Sequence, residues 1–196
     1  MWNFKTPGIP DELFERTEKV PITKEEVRVI QISKARLRPG QVVYDIGCGS
    51  GSISVEAAIQ VESSGKVLAI DYDENAIELT KKNAEKFELS NVSLIYGNAK
   101  EKIKELELDD AIFIGGTGGD TAEIVEICQD KLKVGGRIVI GTILIETLYA
   151  ILQILDKLQF SSVDITQVTI SKSRKTSTGT MMLARNPVTI ISATKS

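Results

Sequence analysis

The sequence contains no histidine. That removes the side chain most often used as a general base near neutral pH, a principal zinc ligand, and the Ser-His arrangement of many hydrolases. Cysteine is nearly absent too. Cys48 and Cys128 are too few for a disulfide framework and lack the clustered spacing of a metal site, so both are expected reduced and no metal site is expected. No run of about 18 uncharged apolar residues occurs, and the opening Met1-Trp2-Asn3-Phe4-Lys5-Thr6 lacks the apolar core of a signal peptide. A cytoplasmic protein without a membrane partner is expected. Excess positive charge is also missing: a formal net charge of −3 speaks against a nucleic-acid partner, which usually needs a basic face.

What is present fits one domain over residues 1–196, since 42% hydrophobic side chains suffice for a substantial core. From Gln41 onward the hydrophobic period alternates between strand and helix. Strands are expected at 42–45, 66–71, 92–96, 111–115 and 137–142, and helices at 52–61, 74–87, 99–106 and 121–132. Strands that are apolar on both faces and alternate with helices predict a parallel sheet covered on both sides, a doubly wound α/β fold. Cys128, in register with Ile124 and Leu132, reads as a small core side chain.

Both ends depart from this alternation. Residues 1–22 read as an extended arm. Thr23-Lys24-Glu25-Glu26 then has the capping-box pattern for a helix over 24–36, with Val27, Ile30 and Leu37 inward and Pro39-Gly40 ending it. Thr23 is either that plain cap or a functional contact. After a helix over 146–158 come 163–171, the polar basic stretch Lys172-Ser173-Arg174-Lys175, and apolar runs at 180–184 and 188–193. Strands joined without a helix pair antiparallel, so the sheet is expected to end in a hairpin over 160–196, with Asn186-Pro187 marking a bulge or an edge.

Candidate chemistry begins at Asp45-Ile46-Gly47-Cys48-Gly49-Ser50-Gly51, where alternate glycines let a ligand approach bare main chain. Gly51-Ser52-Ile53 lacks the Lys of a phosphate loop, and the spacing differs from the G-x-G-x-x-G of dinucleotide loops. An acid just ahead of the glycines disfavours a diphosphate and favours a cation.

The pattern resembles the first motif of class I S-adenosylmethionine-dependent methyltransferases. The resemblance implies a Rossmann-like, mostly parallel seven-stranded sheet with a C-terminal antiparallel hairpin, and S-adenosyl-L-methionine as cofactor. On that family's logic Gly47, Cys48, Gly49, Ser50 and Gly51 hold the cofactor's amino-acid end, and Asp45 orients its ammonium directly or through water. Asp71, at the end of the second strand, takes both ribose hydroxyls, and Gly97-Asn98-Ala99 matches the adenine motif. Asn98 replaces the usual acid there, but its carbonyl oxygen can still accept a hydrogen bond. Val134 stands where proline is more usual in the turn before the fifth strand.

A closer resemblance covers nearly the whole chain. Gly8-Ile9-Pro10-Asp11-Glu12-Leu13-Phe14, Pro21-Ile22-Thr23-Lys24-Glu25-Glu26-Val27-Arg28, the Gly115-Gly116-Thr117-Gly118-Gly119 loop, Leu144-Ile145-Glu146-Thr147 and Gly179-Thr180-Met181-Met182 carry it. Together they are similar to the decarboxylating cobalt-precorrin methyltransferases of anaerobic cobalamin biosynthesis, the CbiT type. This implies methylation of a meso carbon of a tetrapyrrole, loss of carbon dioxide from a ring acetate, and a homotetramer with the arm and hairpin in subunit contacts. It also places Thr23 near the cofactor. Such chemistry suits a chain without histidine, because the electron-rich macrocycle serves as nucleophile and electron sink while the protein positions it.

For a substrate with many carboxylates, Lys24, Arg174, Lys175 and Arg185 are the candidate cations, with Gly116, Thr117 and Gly118 as a backbone-lined opening. Glu146 is the candidate proton-handling residue. A solvated basic hairpin is the plainer account of 172–175, and a mobile connection that of the glycine loop. A transfer-RNA methyltransferase and a cofactor-binding module without turnover are the two competing functions.

Overall fold

The computed structural model describes residues 2–117 and 119–196. Met1 and Gly118, the latter expected at the substrate, lie outside the described residues. The arm carries one short 3-10 turn, Asp11–Leu13, before α1 (Glu25–Ala35). Then follow β1 (Val42–Ile46), α2 (Ser52–Val61), β2 (Lys66–Asp71), α3 (Glu74–Lys86), β3 (Val92–Tyr96), α4 (Ala99–Lys102) and β4 (Asp109–Ile114). The second part has α5 (Thr121–Gln129), β5 (Leu132–Thr142), α6 (Ile145–Lys157), β6 (Ser161–Val168), β7 (Ser171–Lys175), β8 (Thr180–Ala184) and β9 (Val188–Thr194).

Seven strands form one sheet in the order β3-β2-β1-β4-β5-β9-β6. β1 to β5 run parallel, and β9 is antiparallel to both β5 and β6. This is the expected Rossmann-like fold. The central strands are apolar on both faces because both are covered. Tyr44 and Ile46 pack with Ile124, Val125 and Ile151 on one side, while Val43 packs with Val27, Ile53 and Ala57 on the other. Each such large aliphatic contributes about 1.5–3 kcal/mol by leaving water.

Several boundaries differ from the expectation, each for a physical reason. Thr23 is not a helix cap. Lys24 is the N-cap of α1 and makes no side-chain bond there. The amide of Glu25 instead donates to Asp11 Oδ1 at 3.0 Å, so the arm caps the helix. Nor does Glu26 reach back, because it pairs with Lys172 and Arg185. α1 ends at Ala35, where Arg36 turns left-handed at φ 53°, ahead of Pro39-Gly40. Leu132 belongs to β5 rather than α5: it pairs with Asp109 across a shift of register, and β5 starts five residues earlier than expected.

The C-terminal region is more divided than a single hairpin. Residues 172–175 lie in a strand, β7, which pairs with β8 as a separate two-stranded ribbon. Asn186-Pro187 marks neither a bulge nor an edge within a strand. It lies between β8 in the ribbon and β9 inside the main sheet, where proline's missing amide removes no ladder bond. One sheet edge is β6, which leaves Val163 and Ile165 exposed, as β8 leaves Met181 and Met182. Among the described residues no helix is long and apolar enough to cross a membrane.

Candidate active site

The glycine loop lies where the sheet order reverses. β2 and β3 extend from one side of β1 and β4 begins the other side, which opens a crevice beyond the strand ends. The amides of Gly47 and Cys48 donate to Ile70 O at 2.8 and 3.1 Å, and Gly115 N donates to Ile46 O at 2.8 Å. The loops after β1 and β4 therefore touch. Gly47 has φ 71°, and a Cβ on it would stand 2.9 Å from Gly116 O. Only glycine permits both that conformation and that approach.

Two cavities meet at this contact, sharing Gly47 and Gly116 in their walls. The first, about 250 Å³, is lined by Asp71, Tyr72, Asn98, Ala99, Thr117 and Asp120 among others. Asp71 Oδ2 accepts from Gly49 N at 2.9 Å and Oδ1 from Asp73 N at 3.0 Å. Each oxygen retains a second lone pair, so two acceptors remain for a diol. Asn98 has a task the sequence reading missed: it caps α4 by accepting from Lys100 N at 2.9 Å.

The second cavity, about 340 Å³, holds Thr23 and Lys24 on one wall and Gly47, Cys48 and Gly49 on its floor. Ile22, Val27, Ile143 and Val188 make much of the remainder apolar. Lys24 Nζ is 3.7 Å from Asp11 and 40% exposed, free to turn toward an anion.

Asp45, Ser50 and Gly51 line neither cavity. Asp45 is buried beneath the loop, where Oδ2 accepts from Ser54 Oγ. Burial pushes its carboxyl up to about 7; Ser54 opposes that shift and the Asp71 charge adds to it. Ser50 is buried with its carbonyl on Asn83 Nδ2 at 2.8 Å. A Cβ on Gly51 would meet Thr80 at 2.7 Å, so both residues seat the loop on α3. The Cys48 thiol lies 3.4 Å from Thr80 Oγ1, and burial raises its pKa far above the usual thiol range. Its contribution to the second cavity is therefore backbone and bulk.

Arg174, Lys175 and Arg185 line neither cavity. Arg185 pairs with Glu26 at 3.3 Å and Lys172 with Glu25 at 3.2 Å, which ties the ribbon to the first turn of α1. Arg174 and Lys175 have no ion pair among the described residues. Glu146 is exposed in the first turn of α6 and also lines neither cavity.

Two polar residues escaped the sequence reading. Arg28 is fully buried, and Gln31, 6% exposed, lines the second cavity with no partner for Oε1 among the described residues. The signal was periodic: Val27, Arg28, Gln31, Ile32 and Ala35 repeat at helical spacing on the buried face of α1.

The precorrin methyltransferase domain model matches residues 12–195. A probable cobalt-precorrin-6B C(15)-methyltransferase (decarboxylating) of Saccharolobus solfataricus is 49% identical over 99% of this chain and 98% of its own. Among solved structures, a precorrin-8W decarboxylase of Methanobacterium thermoautotrophicum superposes with TM-score 0.89 at 38% identity, covering 94% of this chain and 98% of its own. A precorrin-6Y C5,15-methyltransferase of Geobacter metallireducens gives TM-score 0.90 at 34% identity over 97% and 99% of the two chains. With a cofactor-type crevice on the expected sheet and relatives matching over nearly the full length, the chain belongs to the precorrin methyltransferase family.

Proposed function

We propose that this protein transfers a methyl group from S-adenosyl-L-methionine to a meso carbon of a cobalt-precorrin of the 6B type, coupled to loss of carbon dioxide from a ring acetate. The observation that carries the reading is the pair of cavities joined at Gly47 and Gly116. The first fits the adenosine: Asp71 receives the ribose hydroxyls, and Asn98 and Ala99 stand at the adenine edge. The second takes the amino-acid end over Gly47 and Gly49 and the reacting edge of the macrocycle against Ile22, Ile143 and Val188. A bulky apolar ring with an acidic periphery suits that lining, with Lys24 at the rim.

S-adenosylmethionine supplies an electrophilic methyl group when bound. The protein aligns the ring carbon with it, excludes water and places charge, so no strong base is required to generate the nucleophile. Glu146 has no part in this reading. Arg174 and Lys175 serve the outer carboxylates, or the corresponding groups of a neighbouring subunit's substrate. The exposed apolar residues of β6 and β8 are subunit contacts of a homotetramer acting in the cytoplasm, and the chain works as one methyltransferase unit.

The test is incubation with methyl-labelled cofactor and a cobalt-precorrin-6B preparation. Label should enter the corrinoid and carbon dioxide should appear in equal amount. Cofactor binding without incorporation would leave a binding module, and label entering transfer RNA would leave the nucleic-acid reading.

A further inference from the structure

Arg28 lies on α1, outside both cavities, and is the hub of a buried charge cluster. Its Nε donates to Glu56 Oε1 at 2.6 Å, and one terminal nitrogen reaches Asp11 Oδ1 at 3.3 Å. The same nitrogen donates to the carbonyl of Thr23, and the other to the carbonyl of Ile9. The guanidinium also sits 4.8 Å from the centroid of the Phe14 ring. Glu56, on α2, accepts in addition from the amides of Gly8 and Ile9, both at 3.0 Å. Nothing in the proposed chemistry uses this cluster.

Its partners explain what it does. Gly8, Ile9, Asp11 and Phe14 belong to the arm, and Glu56 to the helix that starts from the glycine loop. Thr23 belongs to the segment 21–24 that walls the second cavity. That segment has no regular secondary structure of its own. It also leans on the glycine loop, since a Cβ on Gly49 would stand 3.1 Å from Pro21 O. A buried charge is tolerated only when its hydrogen bonds are made, and the bonds of Arg28 can be made only with the arm docked and Thr23 in place. The cluster therefore sets the position of the wall relative to the loop.

We propose that Arg28 is a positioning residue. By tying the arm and the 21–24 segment onto α2, it fixes the wall that closes over the amino-acid end of the cofactor and the reacting edge of the substrate. The inference rests on the cofactor assignment above. It separates the two cavities energetically: loosening the wall should harm ligands that extend past Gly47 and Gly116, and spare a ligand confined to the first cavity.

The chain supplies its own reporter. Its only tryptophan, Trp2, packs against the Ile9, Phe14 and Val55 cluster, so its emission follows docking of the arm. The experiment compares the wild type with Arg28→Met by calorimetry, using S-adenosylhomocysteine and 5′-methylthioadenosine, which share the adenosine and differ at the amino-acid end. Arg28→Met is expected to weaken S-adenosylhomocysteine at least about tenfold, to change 5′-methylthioadenosine less than about threefold, and to red-shift Trp2. Arg28→Lys keeps the charge and part of the bonding and should fall between. Equal weakening of both ligands, or no weakening of either, would overturn the proposal.

Should Arg28→Met fail to fold, Asp11→Asn takes its place. It keeps the shape while removing the charge opposite Arg28, and the same selective pattern is expected at smaller amplitude, with equal effects on both ligands again overturning it. A wild-type protein that binds neither nucleoside would sink the cofactor assignment alone. The Trp2 emission of the variants, unchanged or red-shifted, would then still decide whether Arg28 holds the arm.

Discussion

The two cavities are neighbours built by different means. The first is formed by successive strand ends of a parallel sheet, and the Asp71 carboxylate in it is anchored by two backbone amides. The second draws its walls from the arm, α1, the end of β5 and the start of β9. β5 and β9 are paired in the sheet, but what holds the arm and the ribbon to the helices is side-chain charge: Arg28 on Glu56 and Asp11, Lys172 on Glu25 and Glu26, Arg185 on Glu26. Backbone geometry is hard to alter by substitution except at glycine. A wall held by ion pairs can be retuned one side chain at a time, so the substrate side is where this scaffold can change its preference.

The severest challenge to this contrast is Gly47→Val. A Cβ there would stand 2.9 Å from Gly116 O at φ 71°, so the loops must part and both cavities suffer. Binding of S-adenosylhomocysteine should fall by about 3 kcal/mol or more, beyond calorimetric detection. Normal affinity would show that the two loops do not form a shared floor.

Asp71→Ala comes next. It removes the ribose acceptors and also frees Gly49 N, so nucleoside affinity should drop by about 2–3 kcal/mol, for 5′-methylthioadenosine as much as for S-adenosylhomocysteine. This is the reverse of the selectivity expected at Arg28. An Asp71 variant that discriminates between the two ligands would blur the division between the cavities.

A third test uses pH. Asp45, beneath the glycine loop, and Asp109, at the far end of the sheet, are held at about 7 and about 8 by burial, against a usual value of 3.8. Their folded pKa lies above the unfolded one, so the penalty of ionising them is absent below about pH 4 and grows as the pH rises through 7 to 8. Thermal stability should decline over that window. Asp109, with neither oxygen partnered among the described residues, should give a flatter profile and a gain of about 1–3 kcal/mol at pH 8 when changed to Asn. Because an ammonium beside it favours the ionised form of Asp45, S-adenosylhomocysteine binding should release a proton near neutrality in the wild type and not in Asp45→Asn, and 5′-methylthioadenosine, which has no ammonium, should release none in either. Calorimetry in buffers of different ionisation enthalpy measures that proton.

The smallest effect is expected at the ribbon. Lys172→Ala breaks partly exposed pairs, worth less than about 1 kcal/mol of stability. It should raise the KM for the corrinoid modestly while leaving 5′-methylthioadenosine affinity unchanged. A loss of affinity for that ligand would tie the ribbon to the wrong cavity.

The difference between the cavities also explains what could be read in advance. Strands buried on both faces print as apolar runs, so β1 to β4 were found within two residues, and Asp71 and Asn98 at the ends of β2 and β3 located the first cavity. The second could not be read that way, because Thr23, Thr142 and Val188 meet only through the fold. Thr23 satisfied a local capping rule that Asp11, twelve residues upstream, overrode from the arm. Arg28 and Gln31 were on the page as polar members of a helical face, but an expectation that such faces are apolar passed over them. β7 was missed because its ribbon has no buried face, and Lys-Ser-Arg-Lys carries no alternation to detect. Ser50 and Gly51 carry a packing role that the motif does not announce, since both seat the loop on α3.

The place of β9 bears on how the protein is made. It lies between β5 and β6, both of which leave the ribosome before it. Until residues 188–194 emerge, β5 has an open edge and β6 has nothing to pair with. The parallel half can assemble from near neighbours, but the sheet closes only by admitting a late strand between two that are waiting. That step joins distant segments and should limit the folding rate. The same insertion brings Val188 to the second cavity, so that cavity is completed only when the sheet is whole.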